Sequence, residues 1–134
     1  MITLLSIQTV APGREADYVA IQQKLWRLTQ EQESEHVVRY EHYRDTKPNQ
    51  FVSLLTFSSL EAFLAHQVAP YHDDVDWEGL FVVHEMQWLD PLPGANDLSQ
   101  TLLPALPDDL DPAQRVYADM LPADRPAWWG GPQR

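Results

Sequence analysis

Read along the chain, apolar and polar positions alternate first with a period of two and then with a period near 3.6. Ile2 to Val10 reads as a strand, with Ile2, Leu4 and Val10 on one face and Leu5 and Ile7 on the other. Pro12-Gly13 turns the chain. From Arg14 to about Glu33 the spacing becomes helical, with Tyr18, Ile21, Leu25 and Leu28 forming one stripe that Val19 and Trp26 widen. The polar end of this segment, QEQESEH, reads as solvent-facing. Val37 to Arg44 (VVRYEHYR) and Gln50 to Phe57 are strands rich in β-branched and aromatic residues. The five-residue turn Asp45 to Asn49 between them predicts an antiparallel hairpin. In the third strand Phe51, Leu55 and Phe57 share one face, and Val52 and Leu54 the other.

Ser58, with Glu61 three residues on, reads as a capping box that starts a helix at Ser59. Leu60, Phe63, Leu64 and Val68 give that helix its apolar stripe, and Pro70 ends it. Leu80 to Leu89 reads as a fourth strand. The order β-α-β-β-α-β predicts an α+β, ferredoxin-like arrangement: a four-stranded antiparallel sheet with both helices on one face. Helices on one face leave the other uncovered, yet three strands carry large apolar residues on both. A second copy closing face to face, as a dimeric α+β barrel, resolves this, so a homodimer is expected.

Proline changes the picture after the fourth strand, because eight of the 11 prolines lie at or beyond Pro91. The chain is therefore read as a folded domain over 1–90 and a Pro-rich C-terminal extension over 91–134. Asp111-Pro112-Ala113-Gln114 has the N-cap, Pro and Gln of a helix start, predicting a short helix near 112–120. The leucines at 98, 102, 103, 106 and 110 predict that 95–121 docks on the dimer. The closing AWWGGPQR is expected to fray.

At 134 residues one domain core is the default. The chain has 20 acidic against nine basic residues, a net charge of −11, which disfavours nucleic acid and anionic membrane surfaces as partners. No apolar run has the length of a membrane span, and MITLLSIQTV lacks the basic start of a signal peptide, so a cytoplasmic protein is expected. Without cysteine there is no disulfide, thiolate metal site or thiol nucleophile.

Over residues 2–89 the sequence resembles the antibiotic biosynthesis monooxygenase domain family of dimeric α+β barrels. The resemblance rests on Pro12-Gly13-Arg14 after the first strand and on Tyr40-Glu41-His42-Tyr43-Arg44-Asp45 running into Pro48-Asn49. It continues through Phe51-Val52, Phe57 to His66, and Tyr71-His72. Leu55 and Phe57 stand where the family often has a Glu two residues before a Trp. Heme-degrading relatives carry a Trp where His66 stands, and Gln8 only loosely matches their first-strand Asn, so heme breakdown is disfavoured. The resemblance implies oxidation of a small electron-rich aromatic, quinol- or anthrone-like, by O2 without a cofactor.

That chemistry needs a base near neutral pKa, an oxyanion donor and a dry aromatic pocket. His66 and His72 are the candidate catalytic bases. Tyr71 and Arg39 are candidate donors to substrate, and Trp26, Phe51 and Phe63 candidate walls. His66 lies 60° from Phe63 around its helix, at the flank of the apolar stripe. PYHDDVD invites a metal reading, but its spacing is loose and no metal is expected. His42 and His84, on strands, read as structural histidines, and Tyr40 and Tyr43 point to opposite faces. No glycine-rich loop suggests a nucleotide or flavin. The alternatives are a non-catalytic small-molecule-binding or stress-response barrel, and a cyclase or isomerase of a biosynthetic pathway.

Overall fold

The computed structural model describes residues 1–122 and 125–130. Four strands, β1 (Ile2–Val10), β2 (Val37–Arg44), β3 (Gln50–Phe57) and β4 (Phe81–Leu89), form one antiparallel sheet in the order β2-β3-β1-β4. Helices α1 (Glu15–Gln32) and α2 (Leu60–Gln67) follow β1 and β3. This is the ferredoxin-like α+β fold. Strand parity puts Ile2, Leu4, Ser6, Gln8 and Val10 of β1 beneath the helices, and all five are buried. The core is built there from Ile2, Leu4, Tyr40, Leu55, Phe57, Phe63, Leu64 and Trp88. Register carries the parity across the sheet, placing Ile7 opposite Val52 and Leu5 opposite Leu54 on the far face.

Two local expectations shift. The cap of α2 is Ser59, whose side chain accepts from the Ala62 amide, and not Ser58. The helix ends at Gln67, before Pro70, because Pro70–His72 opens a separate 3-10 turn. The buried stripe of α1 also differs from the apolar one. It runs Tyr18, Gln22, Leu25 and Thr29, while Trp26 stands 49% exposed.

Beyond β4 the chain turns back. The Thr101 hydroxyl donates to the Leu89 carbonyl and accepts from the Thr3 amide, and Leu102 N–H donates to the Met1 carbonyl. Helix α3 (Pro112–Met120) begins with a reciprocal capping box between Asp111 and Gln114. Its Ala118, together with Leu103, joins the core beside Leu60 and Trp88. The Trp88 indole donates to the Pro122 carbonyl at 3.2 Å. Ala118, Leu103 and Trp88 join the core of the same chain, and Leu5, Ile7, Val52 and Leu54 on the far face stay part-exposed. Arg125 lies over the Trp129 ring at 5.5 Å. Residues 131–134, part of the stretch expected to fray, lie outside the described residues.

Candidate functional site

Polar side chains collect between the helices and the sheet, where parity and helix phase aim them inward. Ser6 and Gln8 come from β1, His42 from β2, Ser53 from β3, His84 from β4, and Tyr18 and Gln22 from α1. The Tyr18 hydroxyl donates to Gln8 Oε1, which turns the Gln8 amide nitrogen toward His84 Nε2 at 3.5 Å. The Ser6 hydroxyl lies 2.8 Å from the same nitrogen. With donors converging on Nε2, the His84 ring carries its proton on Nδ1. His42 Nδ1 meets the Ser53 hydroxyl at 2.7 Å, while its Nε2 is buried without a partner among the described residues. Gln22 is 7% exposed, and its Oε1 is likewise buried and unpartnered.

Burial sets the titration of this array. It pushes the Tyr18 phenol up to about 12, against hydrogen bonds from Ser53 and Gln22 that pull the other way. It pulls His42 down to about 4, helped by the charge of His66, and lowers His84 as well. All three groups are thus neutral near pH 7.

Two cavities open here. An inner chamber of about 310 Å³ is lined by Ser6, Gln8, Gln22, His42, Ser53, His72 and His84, with Leu25, Leu55, Trp77, Phe81 and Met86 as apolar walls. Val116, Tyr117 and Met120 of α3 complete its lining. A groove of about 570 Å³ lies along α1 and the edge strand β2, bordered by Tyr18, Trp26, His42, Arg44 and Phe51. Gln22 and His42 line both, forming a partition between them.

A second cluster stands beside the chamber. His66 Nδ1 donates to Glu33 Oε2 at 2.9 Å, and the Tyr71 hydroxyl donates to the same oxygen. Thr29 Oγ1 lies 3.0 Å from that hydroxyl. Burial pushes the Glu33 carboxyl up, but bonds from His66 and Tyr71 and the nearby imidazoles outweigh it and hold the carboxyl below its ordinary value. Burial and Glu33 together raise the Tyr71 phenol. His72 packs edge-on to His66, ring centres 5.0 Å apart, and stacks on Tyr71. Its Nδ1 lies 3.0 Å from the Ala69 carbonyl. A carbonyl only accepts, so Nδ1 bears the proton and Nε2 keeps the lone pair. Burial, then the charge of His66, lowers its pKa, so His72 is a neutral base at pH 7.

The sequence-derived candidates therefore separate. His72 lines the chamber, but His66 is 1% exposed and lines neither cavity, because Tyr40, Phe57 and Tyr71 close around it. Tyr71 spends its hydroxyl on Glu33. Trp26 and Phe51 border the groove, while Phe63 packs against Phe57 in the solid core. Arg39 is on the far face of the sheet, bound to Glu41 through two N–H···O bonds at 2.8 and 3.1 Å, and reaches no cavity. His42 and His84, read as structural, both line the chamber. Ser6, Gln8, Gln22, Ser53 and Glu33 were missed. Strand parity with Ile2, Leu4 and Phe51 carried the signal for Ser6, Gln8 and Ser53; nothing local marked Glu33. Among the described residues no group of three or more His, Asp or Glu is placed to hold a metal ion, and the acidic loop after His72 spends Asp74 on Lys24.

No protein-family model and no curated protein matches the sequence. Solved structures do match. One named antibiotic biosynthesis monooxygenase superposes with a TM-score of 0.59 at 13% identity, covering 69% of this chain and 100% of its own. This chain shares its fold. A Caulobacter crescentus protein, proposed to be such a monooxygenase, gives a TM-score of 0.61 at 17% identity, covering 68% of this chain and 89% of that one. An uncharacterised NIPSNAP domain protein from Burkholderia xenovorans gives 0.55 at 15% identity, covering 72% of this chain and 100% of that one. At such identities the likeness is one of fold, and a fold by itself does not fix function. Function has to be argued from the chamber.

Proposed function

We propose that this protein is a cofactor-independent monooxygenase that oxidises a small electron-rich aromatic, quinol- or anthrone-like, with O2 in the inner chamber. The observation that carries the reading is His72: a neutral imidazole on the chamber wall with its proton fixed on Nδ1 by the Ala69 carbonyl. In this reading Nε2 takes the acidic phenolic or benzylic proton of the substrate, and the anion gives its electrons to O2 to form a C–O bond as a hydroperoxide. Loss of water from that hydroperoxide breaks the O–O bond and leaves a carbonyl, one oxygen going to product and one to water. His66, held by Glu33, is a positioning residue behind His72 and Tyr71. Ser6, Gln8 and Ser53 supply hydrogen bonds to substrate oxygens, and the apolar walls keep water from the anion. The unpaired apolar far face of the sheet, Leu5, Ile7, Val52 and Leu54, supports a homodimer closed through that face.

Oxygen uptake with a panel of hydroquinones and anthrones tests this. Turnover that falls at least about 100-fold in His72→Ala is expected, the usual scale of a lost general base. Full turnover in that variant would overturn the assignment. A second reading, a non-catalytic binding barrel, draws on Leu55, an apolar wall where the family often places a Glu. Saturable binding of the same compounds without oxygen consumption would favour it.

A further inference from the structure

We propose that the groove between α1 and β2 is a binding site for a hydroxylated aromatic acid, distinct from the chamber in which the oxidation is placed. Its floor is the partition. Gln22 Oε1 and His42 Nε2 are both buried there without partners among the described residues, an arrangement that native structures complete with water or a bound group. A hydroxyl suits either atom. It donates to the amide oxygen, and because it also accepts, it matches the imidazole nitrogen in either tautomer.

The walls call for a flat ring. Trp26 stands 49% exposed at the border of the groove, a placement the fold itself does not need, since α1 buries Tyr18 and Leu25 instead. Phe51 and Tyr18, with ring centres 4.2 Å apart, continue the aromatic lining inward. The volume of about 570 Å³ is ample for one or two fused rings.

The rim supplies the charge. Arg44 borders the groove at the end of β2, is exposed, and makes no ion pair among the described residues. The rim carboxylate that would compete for it, Glu41, is already neutralised by Arg39 and bonded by Tyr43. A guanidinium left open beside a neutralised carboxylate, on a chain whose net charge is −11, is a selective seat for a carboxylate. The ligand thus carries its hydroxyl and its carboxylate at opposite ends of the ring system.

The test is calorimetric titration of the full chain with 6-hydroxy-2-naphthoate in air-free buffer, where no oxidation proceeds, so the result is independent of the chemistry assigned to His72. One molecule should bind per chain. Arg44→Gln should weaken it at least about tenfold while leaving 2-naphthol unchanged, the loss expected for a charge-assisted pair. Trp26→Ala should weaken both compounds, and Gln22→Leu should weaken 6-hydroxy-2-naphthoate but not 2-naphthoate. Met86→Trp, which fills the inner chamber, should leave binding in place. Trp26 and Arg44 are exposed, so their variants keep the core. The proposal is overturned if no saturable heat appears up to millimolar ligand, if Arg44→Gln and Trp26→Ala bind as tightly as the parent, or if Met86→Trp alone abolishes binding.

Discussion

His66 and Glu33 meet at 2.9 Å across the space between the C-terminal cap of α1 and the last turn of α2, although 33 residues separate them. The bond joins a fully buried imidazole to a carboxylate in the middle of a stretch so polar that it reads as solvent-facing. It fixes the His66 proton on Nδ1, and through the edge-on contact it fixes where His72 sits.

Removing that anion should destabilise the fold in a pH-dependent way. The folded carboxyl titrates below its ordinary 4.5, so its stabilising share is complete above pH 4.5 and is lost as the pH falls through the lower folded value. Glu33→Gln should therefore lower unfolding stability at pH 7 by about 1–3 kcal/mol, the scale of a buried partner left unsatisfied. Urea midpoints at pH 7 and at a series of values below pH 4.5 should show the gap narrowing as the acid strengthens; a gap that stays constant would mean the carboxylate charge is not what matters.

His42 makes a second test of the same sign, in a higher pH window. Its pKa falls from 6.5 unfolded to about 4 folded, so the unfolded chain takes up its proton first as the pH drops. Its stabilising share is full above pH 6.5 and is lost between there and pH 4. His72 and His84 are shifted in the same direction, and the parent should weaken over that whole window. His42→Gln, which cannot titrate, should lose less between pH 7 and pH 4, by up to about 3 kcal/mol. Parallel curves for parent and variant would show that the imidazole is not buried as described.

What the sequence made legible and what it concealed divide along one line. Apolar periodicity placed the four strands and two helices because burial of Leu, Ile, Val and Phe dominates the fold. It concealed the site because the site is the place where polar residues occupy apolar phase. The apolar stripe of α1 runs through Ile21 and Leu28, yet Gln22 and Thr29 complete the inward line from Tyr18 and Leu25 at the same helical spacing. Ser6 and Gln8 sit on the parity of Ile2 and Leu4, and that alone places them beneath the helices. Glu33 could not be found so, because its role depends on a partner brought close only by the tertiary fold.

The C-terminal extension contributes to the core and to the chamber, so its loss should be felt in both. Leu103 is buried beside Leu60 and Trp88, and Leu103→Ala should cost about 2–5 kcal/mol by urea unfolding. Trp88→Phe, which removes the indole bond to Pro122, should cost about 1 kcal/mol. If Leu103→Ala unfolds like the parent, the extension is not docked in solution. Val116→Ala and Met120→Ala, which touch the chamber from α3, should change which aromatic compounds bind and leave stability within about 0.5 kcal/mol, as exposed positions do.

The far face of the sheet decides the state of assembly. Leu5, Ile7, Val52 and Leu54 sit in adjacent register on β1 and β3 and remain part-exposed in a single chain, with Val83 of β4 exposed beside them. The buried core of α1 and α2 lies on the opposite side of the sheet, with Ile2, Leu4, Leu55 and Phe57. At about 25 cal/mol per Å², covering such a surface with its own copy favours association. Leu54→Lys places a charge at the centre of this patch without entering the core. The parent should sediment as a dimer at micromolar concentration and the variant as a monomer with unchanged far-ultraviolet circular dichroism. A parent that sediments as a single chain under those conditions would remove the barrel from the account, leaving the chamber to be explained within one subunit.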